Sequence, residues 1–230
     1  MVPCPIADDG DMARVLPEYN ADIVRSINYF VVENLRTGRR FLSRVGMERP
    51  IDTLQLAELN EHTAPAEVES LIAPILAGED CAMISEAGCP GVADPGAALA
   101  ALCHRHGVRV VPLVGPSSIL LALMASGMNG QSFAFNGYLP VKTPERQRAL
   151  RNLERRARTE HQSQIFIEAP YRNRQMLEAI VASCAPDTRV TVAVDITAES
   201  ERIVTRTVAE WRRAMPDDLH KRPAIFIIGE

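Results

Sequence analysis

The stretch SEAGCPGVADPG, residues 85–96, follows directly on the apolar run CAMI, residues 81–84. It holds three glycines, two prolines and two acids in twelve positions, so it presents much backbone and few side chains. Ordering such a loop is costly, because glycine loses more conformational entropy on folding than any other residue. An apolar run that ends in a loop of this kind predicts a buried strand whose loop lets a ligand approach the backbone closely.

Apolar, β-branched segments alternate with helical segments along the rest of the chain. In the first half the patterns predict strands over 29–33, 54–58, 80–84 and 108–114, and helices over 37–45, 65–77, 97–106 and from Ser117 and Ser118 to Ser126. In the second half they predict strands over 133–138, 164–168, 189–195 and 224–228, helices over 144–158 and 172–184, and a less defined segment around Trp211. Such alternation is typical of a largely parallel sheet covered on both faces.

Length and alternation together predict an α/β fold made of two α/β domains with largely parallel or mixed sheets. A chain of 230 residues is long enough for two medium domains. We place an N-terminal domain at residues 1–116 and a C-terminal domain at residues 117–230, because the strand predicted over 108–114 breaks at Gly115 and Pro116.

Charge and composition exclude several classes of protein. The formal net charge of -4 gives the chain as a whole no attraction to nucleic acid. No apolar run reaches the roughly 18 residues of a membrane span, and the N-terminal segment lacks the features of a secretory signal. Five cysteines form no CxxC pair, so we expect a reduced, cytoplasmic protein that does not bind membranes. Cys103, His104 and His106 do not share one helix face, so no metal site is expected.

Four loops of unusual composition, residues 85–96, 115–118, 137–140 and 168–171, each follow a predicted strand. Ligands bind at the carboxyl ends of strands in open α/β sheets, so these loops predict one ligand cleft between two sheets. The alternative is that each loop is only a tight turn. Neither GxxxxGK[ST] nor GxGxxG is present, and the loops carry few cations. They therefore suit a nucleoside with an amino-acid tail and a positive sulfur better than a heavily phosphorylated ligand.

Several motifs now identify a resemblance. Besides residues 85–96, they are VVPLVGPSSILLALMASG at 110–127, PCPI at 3–6, VENLR at 32–36, GYLP at 137–140 and FIEAPYR at 166–172. In this order they resemble the tetrapyrrole methylase superfamily of S-adenosylmethionine enzymes over nearly the whole chain. The closest branch is that of the small-subunit ribosomal RNA cytidine ribose 2′-O-methyltransferases.

The resemblance implies two α/β domains with S-adenosylmethionine bound in the cleft between them, and a homodimer. It also implies which residues contact this cofactor. Those residues are Pro5, Glu86, Ala87, Gly88, Val92, Ala93, Ser117, Ser118, Tyr138, Ala169, Pro223 and Ala224.

Transfer of a methyl group to a ribose hydroxyl benefits from a general base. Glu33 and Asp195 are the candidates, because each ends a predicted strand beside the proposed cleft. The alternative for either residue is a carboxylate that caps a helix or forms an ion pair. Cys89 lies in the glycine-rich loop, but no histidine is near it in sequence, so we interpret it as a packing residue.

The expected function is S-adenosylmethionine-dependent methylation of RNA, ribosomal RNA in particular, at a ribose 2′-hydroxyl. Arg148, Arg151, Arg155 and Arg158 lie on one face of a predicted helix and could contact RNA phosphates, although a solvated surface gives the same pattern. Two alternatives stay open: methylation of a small molecule such as a tetrapyrrole, and a cofactor-binding module without catalysis. The second is suggested by Asn34 and Leu35 in place of Asp-Thr, and by Ala198 in place of a lysine.

Overall fold

The computed structural model describes residues 1–7 and 11–230. The chain forms two compact units, Met1–Ser117 and Ser118–Glu230. The division falls one residue after the boundary that the sequence suggested between 116 and 117.

The first unit alternates helices and strands from its start. Its elements are α1 (Glu18–Ser26), β1 (Tyr29–Val32), α2 (Leu35–Val45), β2 (Gln55–Glu58), α3 (Pro65–Ser70), α4 (Ala73–Leu76), β3 (Cys81–Ile84) and α5 (Gly96–Arg105). The strands form a parallel sheet in the order β2-β1-β3. Phe30 and Val31 of the central strand are fully buried, each facing one of two apolar clusters formed with the helices. The sheet is therefore covered on both faces, as predicted.

Two predictions for this unit are wrong. Residues 108–114 do not form a strand of the sheet; they run beside the N-terminal residue, where the Leu113 amide bonds to the Met1 carbonyl. Pro112 in this segment has no N–H to donate, which limits the hydrogen bonds that the segment can form with a neighbouring strand. The helix predicted over 65–77 is broken into α3 and α4, because Pro74 cannot donate to the carbonyl of the residue four positions earlier.

The second unit is built on a larger mixed sheet. Its elements are α6 (Ser118–Ser126), β4 (Phe133–Tyr138), α7 (Thr143–Glu160), β5 (Ser163–Ile167), α8 (Asn173–Ser183), β6 (Arg189–Val194), β7 (Arg202–Thr207), α9 (Val208–Arg213) and β8 (Ala224–Gly229). The strand order is β4-β5-β8-β6-β7. Only β4 and β5 are parallel; the other neighbours are antiparallel.

The antiparallel half makes this sheet mixed, which is one of the two arrangements that the sequence predicted. β7 was not predicted, and it pairs along its whole length with β6 as a hairpin. Its sequence, RIVTRT, is half-buried throughout, so it lacks the apolar run of a central strand. The core packs α7 and α8 on the sheet, where the rings of Phe166 and Phe226 stack with centroids 5.7 Å apart.

The pairing registers bring the ends of several strands to one edge of the second sheet. Tyr138 pairs with Ile167, and Ile167 in turn pairs with Ile225, near the start of β8. Val194, the last residue of β6, pairs with Ala224. The residues that follow β4, β5 and β6 therefore lie at the same edge as those that precede β8.

Close packing of α2 on β1 gives a testable consequence. A Cβ atom added at Gly38 in α2 would lie 2.7 Å from Cγ1 of Val32. Alanine favours a helix over glycine by about 1 kcal/mol, but overpacking a core costs about 1–3 kcal/mol. We expect Gly38→Ala to lower the free energy of unfolding by about 1 kcal/mol in denaturant titrations. In a Val32→Ala background the same change should cost less, because only the Cβ atom of residue 32, at 3.0 Å, still crowds the added methyl group. An equal loss in both backgrounds would contradict this packing.

Candidate functional site

The glycine-rich loop of the first unit is pinned to the N-terminal segment. The Cys4 amide donates to the Gly88 carbonyl at 2.8 Å, and the Gly88 amide donates to the Cys4 carbonyl at 3.1 Å. Gly88 has φ +72°, a left-handed conformation that favours glycine. This pair of bonds places Pro5 beside the loop. Together with Glu86 and other residues, Cys4 and Pro5 line a cavity of about 220 Å³.

Asp94 holds the second part of the loop in shape. Its Oδ1 accepts hydrogen bonds from the amides of Gly91, at 3.1 Å, and Gly96, at 2.7 Å. Between these anchors the side chains of Val92 and Ala93 are exposed, and Ala93 has φ +57°. The predicted cofactor contacts Glu86, Ala87, Gly88, Val92 and Ala93 are thus held on one ordered loop, and Asp94 is a site residue that the sequence interpretation missed.

Glu33 lies at the end of β1 and reaches the loop that follows β3. Its Oε2 accepts a hydrogen bond from the Glu86 amide at 2.9 Å. The Glu86 side chain accepts one from the Thr37 hydroxyl at 3.2 Å, so both acids are fixed at the same edge. Burial raises the pKa of Glu33, and the nearby carboxylates of Asp94 and Glu86 raise it further, although the bond from the Glu86 amide opposes them. Glu33 is therefore a stronger base than an ordinary carboxylate.

Asn34 has a structural role at this edge. Its side-chain oxygen accepts from the amides of Arg36, at 2.9 Å, and Thr37, at 3.3 Å, and so caps α2. An aspartate would make the same bonds. The departure at Asn34 therefore preserves the local structure and removes a carboxylate next to Glu33.

Cys89 packs against the backbone near the end of the first unit, as the sequence interpretation expected. Its thiol lies 3.3 Å from the Pro116 carbonyl, and burial raises its pKa, so the reactive thiolate is disfavoured. Ser117, the next residue, is half-buried at the end of this unit.

The second unit gathers its own set of predicted residues at the sheet edge described above. Tyr138 ends β4 with 65% of its surface exposed, directly after Gly137, whose φ is +62°. Ala169 follows β5, and its amide donates to Oε1 of Glu168 at 2.7 Å. Pro223 and Ala224 lie at the start of β8 on the same edge. Ser118, by contrast, is the first residue of α6 and belongs to no strand end of this sheet.

Both carboxylates at this edge are neutralised by arginines. Glu168 is buried and accepts two hydrogen bonds from the guanidinium of Arg172, at 2.7 and 3.0 Å. Asp195 accepts from Nε of Arg222 at 2.7 Å and from the Ser200 hydroxyl at 2.8 Å. Asp195 therefore matches the alternative of an ion-paired carboxylate, and of the two candidate bases Glu33 has the environment that raises proton affinity.

The arginine face of α7 is partly as predicted. Arg148, Arg151, Arg155 and Arg158 are all exposed, while Leu150, Leu153 and Ala157 are buried on the opposite side. Arg158, however, is paired with Asp187 at 2.7 Å and bonds to the Thr188 hydroxyl. Arg155 bonds to the side chain of Asn152. Arg158 is thus held in the fold by its partners, and the other three are better placed to meet a ligand.

Two classes of site find no support in the described ranges 1–7 and 11–230. No group of three or more histidine, cysteine or acidic side chains there could hold a metal ion. Within the same ranges, no helix combines the length and apolarity needed to cross a membrane.

Comparison with known proteins places the chain in a family. Residues 20–211 match the family model described as tetrapyrrole (corrin/porphyrin) methylases. The chain belongs to the tetrapyrrole methylase family. This confirms the resemblance drawn from the motifs, the methyltransferase class and, for the family, the cofactor S-adenosylmethionine.

Relatives within the family align over the whole chain. A protein of Xylella fastidiosa named ribosomal RNA small subunit methyltransferase I is 30% identical over 228 residues, covering 99% of this chain and 79% of the relative. A protein of the same name from Vibrio cholerae is 31% identical over 229 residues, covering 99% of this chain and 75% of its own length.

Solved structures of tetrapyrrole methylases confirm the fold class. The methyltransferase CobJ matches with a TM-score of 0.63 and 16% identity, over 96% of this chain and 90% of its own. Uroporphyrin-III C-methyltransferase from Thermus thermophilus, complexed with S-adenosyl homocysteine, matches with a TM-score of 0.56 and 16% identity, over 94% of this chain and 92% of its own.

The edge of the first unit fits the family's cofactor. A Cβ atom at Gly88 would meet only the Pro116 carbonyl oxygen, at 3.6 Å, so the space in front of this glycine is open. The carboxylates of Glu33, Glu86 and Asp94 favour positive groups on a ligand, while Arg40 and Arg44, which line the same cavity as Glu86, favour a carboxylate on it. A nucleoside that carries a sulfonium, an ammonium and a carboxylate group meets these conditions.

The raised pKa of Glu33 predicts a dependence of stability on pH. The folded protein binds the proton on Glu33 more tightly than the unfolded chain does. Protonation of Glu33 therefore stabilises the fold fully below the ordinary pKa of 4.5, and this stabilisation is lost as the pH rises through the raised pKa. Glu33→Gln keeps a neutral side chain at every pH. We therefore expect its melting temperature, relative to that of the unchanged protein, to rise from acidic to mildly alkaline pH.

A constant difference between Glu33→Gln and the unchanged protein at all pH values would contradict the account of Glu33.

Proposed function

We propose that the chain is an S-adenosylmethionine-dependent methyltransferase that modifies small-subunit ribosomal RNA at a ribose 2′-hydroxyl. The observation that carries the proposal is the full-length similarity to relatives named ribosomal RNA small subunit methyltransferase I. The environment of Glu33 supports the choice of a hydroxyl as the acceptor, because a hydroxyl must lose its proton during transfer.

Glu33 is the proposed general base. The cofactor supplies a methyl group already activated on a positive sulfur, so the protein's task is to position the acceptor and remove its proton. The ribose oxygen forms a bond to the methyl carbon as the carbon–sulfur bond breaks, and the hydroxyl proton goes to the Glu33 carboxylate. Because its pKa is raised, the proton affinity of Glu33 is closer to that of the ribose hydroxyl than the proton affinity of an ordinary glutamate is.

Asp195 is proposed instead as a positioning residue. It joins the end of β6 to Arg222, just before β8, and its own amide bonds to the Pro223 carbonyl at 3.0 Å. Through these bonds Asp195 fixes the backbone of Pro223 and Ala224. We propose that this backbone contacts the cofactor, and that the other contacts come from Ser117, Ser118, Tyr138, Ala169, Pro5 and the 86–93 loop.

An RNA acceptor is favoured over a small molecule by the distribution of charge. The first unit has 9 basic and 16 acidic residues, whereas the second has 16 basic and 13 acidic residues. Arg148 and Arg151 on α7 are exposed and have no carboxylate partner among the described residues, as is also true of Arg36 and Arg39 on α2 of the first unit, so the net charge of each unit carries the contrast. A polyanion gains from such a surface, and a tetrapyrrole does not require it.

We also propose that the protein acts in the cytoplasm as a homodimer. All five cysteines are free, which suits a reducing compartment. The dimer is proposed from the family resemblance, and its mass in solution, measured by light scattering, tests it.

Methyl transfer to RNA is the direct test of this function. With cofactor labelled in its methyl group, we expect label in small-subunit ribosomal RNA and its recovery in fragments that resist alkali, because a methylated 2′-oxygen cannot attack the adjacent phosphate. Glu33→Gln should lower kcat by about 10²–10⁴-fold. The glutamine oxygen can still accept the bond from the Glu86 amide, and Glu86 and Asp94 remain, so the affinity for cofactor should fall much less than kcat. Label in alkali-sensitive nucleotides would contradict the ribose position, and cofactor binding without transfer to RNA would favour a small acceptor or a binding module.

A pair of glycine variants tests the cofactor site. Gly88 and Gly46 share the left-handed conformation, with φ of +72° and +75°, but Gly46 ends α2 with nothing near its Cβ position. Leucine at either position should cost about 1–2 kcal/mol of stability from backbone strain. Only Gly88→Leu should also weaken cofactor binding in calorimetry, by more than about tenfold. Equal affinities for the two variants would exclude Gly88 from the site.

A further inference from the structure

Arg146 is a buried cation without a partner. Only 8% of its surface is exposed, and its Nε atom has no hydrogen-bond partner. Across the described residues, no carboxylate forms an ion pair with its guanidinium. Arg146 lies on the buried side of α7 together with Leu150, Leu153 and Ala157. The exposed face of this helix carries Arg148, Arg151, Arg155 and Arg158.

Such an arrangement is costly in the absence of a ligand. Arginine stays protonated in proteins, so burial cannot be relieved by loss of the charge. Buried charges are normally paired, and a guanidinium with unmet donors loses hydrogen bonds that it would make in water. An anionic ligand that meets these donors accounts for an arginine at this position.

The location of Arg146 is consistent with a binding site. It is the fourth residue of α7, an 18-residue helix that begins shortly after the exposed Tyr138. Helical side chains lean toward the N-terminus of their helix, so this position lies beside the first turn. Pro144 has no amide to donate and Glu145 already places a carboxylate in that turn, so an anion site here depends on Arg146 and not on the helix end.

We propose that Arg146 binds a phosphate of the substrate RNA. The guanidinium fork matches two phosphate oxygens in a bidentate arrangement. Arg148 and Arg151 lie on the opposite, exposed face of the helix, so Arg146 is a separate contact and not part of their surface. This inference rests on the proposed RNA substrate.

The test uses two variants. Arg146→Met keeps an unbranched apolar stem and removes the charge, and Arg146→Lys keeps the charge but lacks the guanidinium group. Arg105→Met is the control: it removes one exposed arginine of the first unit, whose partner is Glu69. Filter binding of small-subunit ribosomal RNA fragments is measured without cofactor at several salt concentrations, together with melting temperature and cofactor affinity.

Arg146→Met should weaken RNA binding by about tenfold to a hundredfold and reduce the salt slope by roughly one. Arg146→Lys should have a smaller effect, and Arg105→Met should match the unchanged protein. Without RNA, Arg146→Met should melt at the same or a higher temperature, because an unpaired buried charge is gone. Cofactor affinity should not change.

Three results would overturn the assignment. Unchanged RNA affinity and salt slope in both Arg146 variants would exclude a phosphate contact. Loss of cofactor affinity with RNA binding intact would assign Arg146 to the cofactor carboxylate. A lower melting temperature for Arg146→Met, with RNA binding unchanged in Arg146→Lys, would make the arginine structural. If the unchanged protein neither binds nor methylates RNA, the proposed function itself fails. Filter binding with the unchanged protein therefore distinguishes failure of the proposed function from failure of the assignment at Arg146.

Discussion

The hydrogen bond from the Glu86 amide to the Glu33 carboxylate joins the ends of β3 and β1, and the edge of the first unit depends on it. It brings two acids together beside Asp94, which in turn fixes the glycine-rich loop. The proximity of these carboxylates and their burial raise the pKa of Glu33. This contact ties the two strand ends together, whereas burial and the neighbouring carboxylates make the proposed catalytic group more basic.

The second unit manages its charges differently. Its strand-end carboxylates, Glu168 and Asp195, are matched by Arg172 and Arg222, so the acids there are neutralised. Arg146 is the exception, a buried cation left without a matching acid in the described residues. In the proposed function, carboxylates of the first unit face the cationic cofactor, and arginines of the second unit contact the anionic substrate.

Sequence patterns predicted most elements, because buried strands and amphipathic helices have clear periodicities. The patterns failed where hydrogen bonding to a neighbouring strand decides the structure. β7 is only half-buried, and it forms a strand because it pairs with β6 in a hairpin. Residues 108–114 have the composition of a strand but do not pair into the sheet. At the site, motifs identified the loop and Glu33. The ion pair of Asp195 and the isolation of Arg146 depend on residues distant in sequence, so the sequence patterns did not predict either.

The central claim is that this tetrapyrrole methylase fold modifies ribosomal RNA. The most direct measurement is a map of ribose methylation across small-subunit ribosomal RNA from a strain that lacks this chain, compared with its parent. The account predicts the loss of a 2′-O-methyl group in the deletion strain and its return when the chain is supplied again, but not when Glu33→Gln is supplied. Identical maps from the two strains would contradict it.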